Sequence, residues 1–211
     1  MQPEINSDNQ DSNRSFIEQA RRTQIIDATV AVLAEYGYVN TSFARIGKQA
    51  GISASLISYH FKDKDELTTA VLKTISRDRA EHVQAEVAKA TTATDRLRTA
   101  LEADLAHMGT RPQRFQATVE VIFGLRGNKG ALAYLGDHND PSFTLVHDIL
   151  VAGQKSGEFG QFDATNLAII LDAARDTFLA QLPLRPSFNL EQFTKTLVAF
   201  ALDAVRKDRH A

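Results

Sequence analysis

The chain has no cysteine among its 211 residues, which excludes disulfide bonds, zinc sites built on thiolates and cysteine nucleophiles. No segment approaches the roughly 18 consecutive apolar residues that a membrane-spanning helix requires. The first fifteen residues are polar and lack the apolar segment of a secretory signal. We therefore expect a soluble, cytoplasmic protein that does not enter a membrane.

Catalytic motifs are absent as well. The sequence has no HExxH, GxSxG or Walker A pattern, and Gly124, Gly127 and Gly130 are wrongly spaced for a phosphate-binding loop. The stretch Asp137–Asp140 precedes Pro141 and predicts a helix start, because consecutive loop residues seldom converge on one metal ion. We predict no enzyme activity, no cofactor and no metal site.

Charge is distributed unevenly along the chain. The formal net charge is -2, yet residues 14–64 contain seven Lys or Arg against four Asp or Glu, a local net charge of +3. The remaining residues therefore carry a net charge of -5. This asymmetry is expected if only the amino-terminal part of the chain meets phosphates.

The spacing of apolar residues predicts helices and no strand. A long helix ends at Gly37, and two short helices flank the Ala50-Gly51-Ile52 turn. A fourth helix starts at Asp63, and the last two helices span roughly 164–182 and 190–206. The predicted fold class is all-α, with an amino-terminal three-helix helix-turn-helix domain and a larger helical bundle. We divide the chain into a flexible tail (1–15), a helix-turn-helix domain (16–62), a connecting helix (63–80) and a larger domain (81–207).

The third helix, from Ser53 to Phe61, has the composition of a recognition helix. Ile57 and Phe61 face the core, whereas the opposite face carries small or hydroxylated side chains. Short side chains let the backbone approach a major groove, and hydroxyl groups can bond base edges or phosphates. Around this helix the residues that can meet phosphates are Thr41, Ser42, Arg45 and Lys64.

The run TSFARIGKQAGISASLISYHFKDKDEL resembles the DNA-binding motif of the TetR (tetracycline repressor) family of transcriptional regulators. The matching positions are Thr41, Ser42, Ile46, Ala50 to Ser53, Tyr59 to Phe61, Lys64 and Leu67. Two positions depart from the family pattern: Gly47 stands where Ala is usual, and Ser58 stands where an aromatic residue is common. The resemblance implies base contacts by Ala54, Ser55, Ser58 and Tyr59, and phosphate contacts by Thr41, Ser42, Tyr59, His60 and Lys64. The expected DNA-binding set also includes Arg45 and Ser53.

The larger domain is similar to that family only in layout. The resemblance implies a homodimer that pairs through the last two helices, with interface candidates Leu167, Leu171, Ala174, Leu197, Phe200 and Ala201, although each of these residues could belong to the core of one protomer instead. It also implies a pocket for an unknown small-molecule effector. Its candidate lining residues are Asp104, His107, Phe115, Val119, Phe123, Phe143, His147, Arg175 and Phe178, and the polar ones could equally be surface charges or satisfied core groups. We expect a ligand-responsive regulator of double-stranded DNA that binds a palindromic operator as a dimer. We expect it to act as a repressor, because a protein blocks a promoter simply by occupying the operator. The alternative is an enzyme or a helical interaction protein whose helix-turn-helix is not used on DNA.

Overall fold

The computed structural model describes residues 7–124, 141–181 and 187–207, with side chains from Phe16 onward except those of residues 178–181. Within these ranges the chain is helical and contains no strand, which confirms the all-α prediction. The helices in chain order are α1 (Ser7–Asn40), α2 (Phe43–Ala50), α3 (Ala54–His60), α4 (Lys64–Val87), α5 (Ala93–Gly109), α6 (Pro112–Phe123), α7 (Pro141–Lys155), α8 (Ala164–Gln181) and α9 (Leu190–Ala204).

The first three helices and the start of α4 enclose a small apolar core. Its buried side chains are Ile25, Ala28, Val32, Ile46, Ile57, Phe61 and Leu67. These side chains come from all four helices, so the orientation of each short helix depends on long-range packing as well as on its own turns. The arrangement props α3 outward on α2, as the helix-turn-helix prediction requires.

Three glycines explain the tight turns of this domain. Gly37 interrupts α1 with φ 76° and ψ 167°. Its positive φ was expected, but its ψ is extended and not left-handed helical, so the chain turns sharply here. Gly51 closes α2 in the left-handed conformation. A Cβ on Gly47 would lie 2.7 Å from the carbonyl oxygen of Ile52, which explains why this position has no side chain.

Two helix boundaries differ from those expected. α1 begins at Ser7, within the segment expected as a tail, since residues 7–14 contain no Gly or Pro and two acidic residues favour a helix start. α4 continues past residue 80 to Val87, because Val83 and Val87 pack into the core of the larger lobe. The connecting helix is therefore also part of that core.

The larger lobe packs α5, α7, α8, α9 and the second half of α4 around one large apolar cluster. Separately, α6 lies against α1 and α4 and forms a third apolar cluster with them, including Leu33, Leu72 and Val121. Arg114 of α6 adds ion pairs to Asp78 of α4 at 2.6 Å and to Asp27 of α1 at 3.6 Å. Both α4 and α6 thus join the larger lobe to the helix-turn-helix domain.

Candidate nucleic-acid interface and effector cavity

The outer face of α3 is polar and open to solvent. Ser55, Ser58 and Tyr59 are exposed, and Tyr59 retains 71% of its accessible surface. Ile57 and Phe61, on the inner side of the same helix, are buried. Because α3 is short and its outer side chains are small, its backbone is free to approach a flat or grooved partner closely.

Each of the first turns of α2, α3 and α4 is capped by a side-chain oxygen. Ser42 Oγ accepts from the Arg45 N–H, Ser53 Oγ from the Leu56 N–H and Asp63 Oδ1 from the Glu66 N–H, at 3.3, 3.1 and 2.8 Å. These bonds satisfy otherwise unpaired amides and fix where each helix begins. Glu66 Oε2 accepts from the Lys62 N–H at 2.9 Å, one residue before the Asp63 N–H that a capping box would bond.

Two of the expected phosphate contacts point inward. Thr41 is buried: only 3% of its surface is accessible, and its hydroxyl donates to the Gly37 carbonyl at 2.8 Å. Lys64 Nζ donates to the Tyr38 carbonyl at 2.7 Å and lies 4.1 Å from the centre of the Tyr38 ring. Burial of the ammonium lowers the pKa of Lys64 below its ordinary value. Both side chains therefore brace the turn after α1 in this conformation.

The remaining expected contacts lie at the rim of α3. Ala54 and His60 are half-buried, and the His60 ring meets the Tyr59 ring edge-on with 5.0 Å between centroids. Ser58 Oγ donates to the Ala54 carbonyl at 3.1 Å. Arg45 is exposed, with its guanidinium 4.4 Å above the Tyr36 ring.

Arg22 and Gln24 of α1 were not predicted, yet they hold the ends of both short helices. Gln24 Nε2 donates to the Ala50 carbonyl at the end of α2, at 2.9 Å. Arg22 donates to the His60 carbonyl at the end of α3 and stacks 4.1 Å over the Phe61 ring. A guanidinium at a helix carboxyl end satisfies a free carbonyl and interacts favourably with the negative end of the helix dipole. These contacts join residues up to 38 positions apart, so no local pattern marks them.

Tyr38 forms a second junction, between the helix-turn-helix domain and the larger lobe. Its hydroxyl donates to Asp65 Oδ1 at 2.9 Å, and its backbone N–H donates to Glu120 Oε2 of α6 at 3.0 Å. A Cβ on Gly124 would lie 2.3 Å from the Tyr38 ring, so the end of α6 must stay small there. The turn after α1 is thus clamped between the start of α4 and the end of α6.

The larger lobe contains a small cavity with charged groups in its wall. Its volume is about 20 Å³, enough for one water molecule. Asp104 and Arg175, both predicted pocket residues, are 6% and 5% exposed and form an ion pair of 2.7 Å. Phe143, also predicted, lines the same cavity. The other lining residues are Val83, Ala100, Leu101, Ser142, Val146, Ala168, Leu171 and Asp172.

A third buried charge, Arg79 of α4, was missed in the sequence. Its side chain is 8% exposed, and its Nε lies 3.3 Å from Asp104 Oδ1. The same Nε donates to Ser142 Oγ at 2.9 Å. Arg79 resembles any surface arginine in the sequence, because its partners are 25 and 63 residues away. It places a charged residue of the connecting helix against the cavity wall.

Among the other predicted pocket residues whose side chains the structure describes, none lines this cavity. Phe123 is 76% exposed, which contradicts its expected place in a pocket, because it lies at the last residue of α6. Phe115 is buried in the large core, and Val119 packs partly against it. His147 stacks on Phe143 with 6.3 Å between ring centres. The side chain of Phe178 lies outside the described residues, as does the stretch Asp137–Asp140.

His107 lies at the edge of the larger lobe, away from the cavity wall. Its ring is 4.6 Å from the ring of His82, and its Nδ1 is 3.1 Å from Arg111 Nη1. Burial, followed by the positive charge of Arg111, lowers the pKa of His107 from 6.5 to about 4. The imidazole is therefore neutral at physiological pH, and its expected place in a pocket wall is not observed.

Most of the predicted interface residues belong to the core of one protomer. Leu167, Leu171, Leu197 and Ala201 are at most 8% exposed, and Ala174 packs partly against the same core. Of the predicted set, Phe200 is open to solvent, at 49% exposure. On α8, Ile169 and Ile170 are also exposed, at 41% and 51%. The periodicity located an apolar face, but it did not distinguish which side of each helix the chain itself covers.

The described residues lack two further kinds of feature. None of their helices combines the length and apolarity required to cross a membrane. No group of three or more His, Cys, Asp or Glu side chains among them is arranged to hold a metal ion.

The amino-terminal region matches a known family. The model of bacterial regulatory proteins of the tetR family matches residues 25–71. The transcriptional regulator BetI of Cronobacter sakazakii is 37% identical over 71 residues, which are 34% of this chain and 35% of BetI. BetI of Stenotrophomonas maltophilia is 37% identical over 67 residues, or 32% of this chain and 34% of that protein. The match thus spans about a third of the length of these curated relatives.

Solved structures resemble the whole fold. A protein from Rhodococcus sp. assigned to the TetR family aligns with a TM-score of 0.78 and 22% identity, covering 88% of this chain and 98% of that one. FadR of Bacillus subtilis, solved with stearoyl-CoA, aligns with a TM-score of 0.76 and 21% identity over 87% of this chain and 99% of its own. A protein from Saccharomonospora viridis, solved with choline, gives 0.74 and 23% over 86% and 95%. At these identities the likeness establishes the fold alone.

Proposed function

Because the chain belongs to the tetR family of bacterial regulatory proteins through its amino-terminal domain, we propose that it is a DNA-binding transcriptional regulator controlled by a small molecule. In this proposal it represses transcription in the cytoplasm by occupying an operator and has no enzymatic role. The single observation that carries the proposal is the open polar face of α3, with Ser55, Ser58 and Tyr59 exposed above buried Ile57 and Phe61.

Each protomer inserts α3 into a major groove. Ala54, Ser55, Ser58 and Tyr59 meet base edges, and the capping turns before α2 and α3 supply hydroxyls and amides to phosphates. The phosphate-binding residues in this proposal are Ser42, Arg45, Ser53, Tyr59 and His60. Thr41 and Lys64 brace the turn after α1 through its backbone carbonyls. The Lys64 ammonium has three N–H donors, of which the Tyr38 carbonyl takes one, so in this proposal Lys64 also meets a phosphate.

The test is a random-sequence selection of duplexes, followed by fluorescence-anisotropy binding of the selected operator at several salt concentrations. We expect affinity to fall linearly with salt on a logarithmic scale, because phosphate contacts release counterions. Tyr59→Ala should weaken operator binding roughly tenfold or more without lowering stability, since Tyr59 is 71% exposed. Selection of no sequence, or unchanged affinity in Tyr59→Ala, would contradict the assignment of α3.

We also propose a homodimer that pairs through exposed parts of α8 and α9, so that two copies of α3 read a palindromic operator. The interface is centred on Ile169, Ile170 and Phe200, whose exposed apolar side chains a second copy would cover. Phe200→Glu should produce a folded monomer with much weaker operator binding. Leu171→Glu, which places a charge in the core, should unfold the larger lobe instead. Sedimentation that shows a Phe200→Glu dimer would contradict this surface.

The effector acts on α4, which begins directly after the recognition helix and ends in the larger lobe. In the proposed mechanism, a molecule that binds better to the conformation unsuited to DNA shifts the population away from the operator-binding one. We place its site at the cavity between α4, α5, α7 and α8, because Val83 of α4 lines that cavity.

A further inference from the structure

One oxygen of Asp104 lacks a hydrogen-bond donor. Oδ2 accepts from Arg175 Nη1 at 2.7 Å, whereas Oδ1 accepts no hydrogen bond. Arg79 Nε lies 3.3 Å from Oδ1, but its single N–H is donated to Ser142 Oγ at 2.9 Å. Asp104 is 6% exposed, so a donor to Oδ1 has to come from a molecule inside the cavity. A buried carboxylate oxygen without a donor is costly, and its position therefore calls for a donor from another molecule.

The surroundings of this oxygen are those of a ligand site and not of a closed core. Asp104 lines the cavity together with apolar groups such as Leu101, Phe143 and Val146. Asp172, whose side chain is 32% exposed, lies in the same wall and marks its side toward solvent. The present volume of about 20 Å³ admits one water molecule, so a larger guest must push the wall side chains apart.

We propose that the effector has an apolar body and a hydrogen-bond-donating head, either a hydroxyl or a protonated amine, which donates to Asp104 Oδ1. This inference rests on the proposed regulatory function and specifies its ligand. A carboxylate head does not satisfy Oδ1, because it is ionised at neutral pH and has no proton to donate.

The same contact gives the ligand a route to the DNA-binding domain. A head group on Oδ1 must enter beside Arg79 Nε, which now lies 3.3 Å from that oxygen. Arg79 belongs to α4, and displacing it moves the helix that follows the recognition helix. Arg79 is a positioning residue in this scheme and transmits the occupancy of the cavity.

The experiment compares three probes that share a four-carbon chain: n-butanol, n-butylammonium and butyrate. Each is titrated into the full-length protein by calorimetry without DNA, and then into the protein bound to its selected operator in the anisotropy assay. The variants are Ser142→Ala and Asp104→Asn, with Thr144→Ala on the exposed side of α7 as the matched control. Ser142→Ala should free the Arg79 N–H to turn toward Oδ1 and should weaken donor-headed probes roughly tenfold.

We expect n-butanol or n-butylammonium to bind and to release DNA, butyrate to do neither, and Thr144→Ala to behave as wild type. The better of the two donors identifies the head group. Equal or tighter binding of butyrate, no binding of any probe, or unchanged affinity in both Ser142→Ala and Asp104→Asn would overturn the proposal. Because calorimetry needs no DNA, donor binding by a protein that selects no operator would support this site while the proposed function fails.

Discussion

The two lobes of the molecule place their charged side chains in opposite ways. In the helix-turn-helix domain the core is apolar, and charged groups such as Arg22 and Lys64 lie at the ends of helices. In the larger lobe, Arg79, Asp104 and Arg175 lie inside, each at most 7% exposed. Charges at helix ends hold a surface in shape for a partner outside, whereas charges in the interior shape a cavity. We therefore expect mutations of charged residues to lower stability in the larger lobe and to weaken DNA binding in the helix-turn-helix domain.

The largest effect is expected inside the larger lobe. Arg175→Met removes the partner of Asp104 and leaves a buried carboxylate whose nearest cation is Arg79 at 3.3 Å. Removing one member of a buried pair costs on the order of 3 kcal/mol in the free energy of unfolding. Urea denaturation followed by circular dichroism measures this loss.

The matched control is Lys195→Met, which breaks an exposed pair with Glu191. We expect it to change the free energy of unfolding by less than about 0.5 kcal/mol, since exposed pairs are weak. If Arg175→Met is no more destabilising than this control, the interior ion pairs do not stabilise the larger lobe. The contrast between the two lobes would then be one of position only.

The helix-turn-helix domain was predictable because its signals are local. Ser42, Ser53 and Asp63 each cap a helix through a residue three positions away, so the sequence contains both partners in one short window. The larger lobe lacks such signals. Asp104 and Arg175 were recognised as polar residues on apolar helices, but their pairing across 71 positions is set by packing. The sequence left the place of Leu171 and Ala201 open for a related reason, because a wide apolar face does not indicate whether its own chain or a second copy covers it.

An intermediate effect is expected at the end of the recognition helix. Arg22→Met removes the bond to the His60 carbonyl and the stacking on Phe61, which frees the end of α3. We expect operator affinity to fall roughly five- to tenfold, which corresponds to one charged hydrogen bond, while the urea midpoint changes little. Anisotropy titrations at several salt concentrations measure both affinity and its salt dependence.

Lys89→Met is the control, since it removes the same charge from an exposed side chain that pairs with Glu86 near the end of α4. A positioning role for Arg22 predicts an unchanged slope of affinity against salt. A slope reduced by about 0.9 in Arg22→Met would show instead that Arg22 neutralises a phosphate. That result would place a DNA contact on α1. Arg22 would then bind the DNA directly as well as position α3.

The smallest effect concerns His107, which lies at the edge of the larger lobe and is neither fully buried nor free. Its pKa is lowered from 6.5 to about 4, mainly by burial. Between these values the unfolded chain binds a proton that the folded chain does not, so stability falls as pH falls through this window. Because the ring is partly exposed, we expect the loss by pH 5 to be at most about 1 kcal/mol. His107→Gln should remove this part of the pH dependence, as measured by urea denaturation between pH 6.5 and 5.

The window ends at pH 5 because carboxylates begin to titrate below it and would obscure a single histidine. His82→Gln is the matched control, since His82 is exposed and faces the same ring. It should leave most of the slope in place, as Arg111 and burial act on His107 without it. If the slope is the same in wild type and His107→Gln, this ring is solvated like a surface histidine. Along α5, the buried environment of the larger lobe would then include Asp104 but not His107, which lies one helical turn further on.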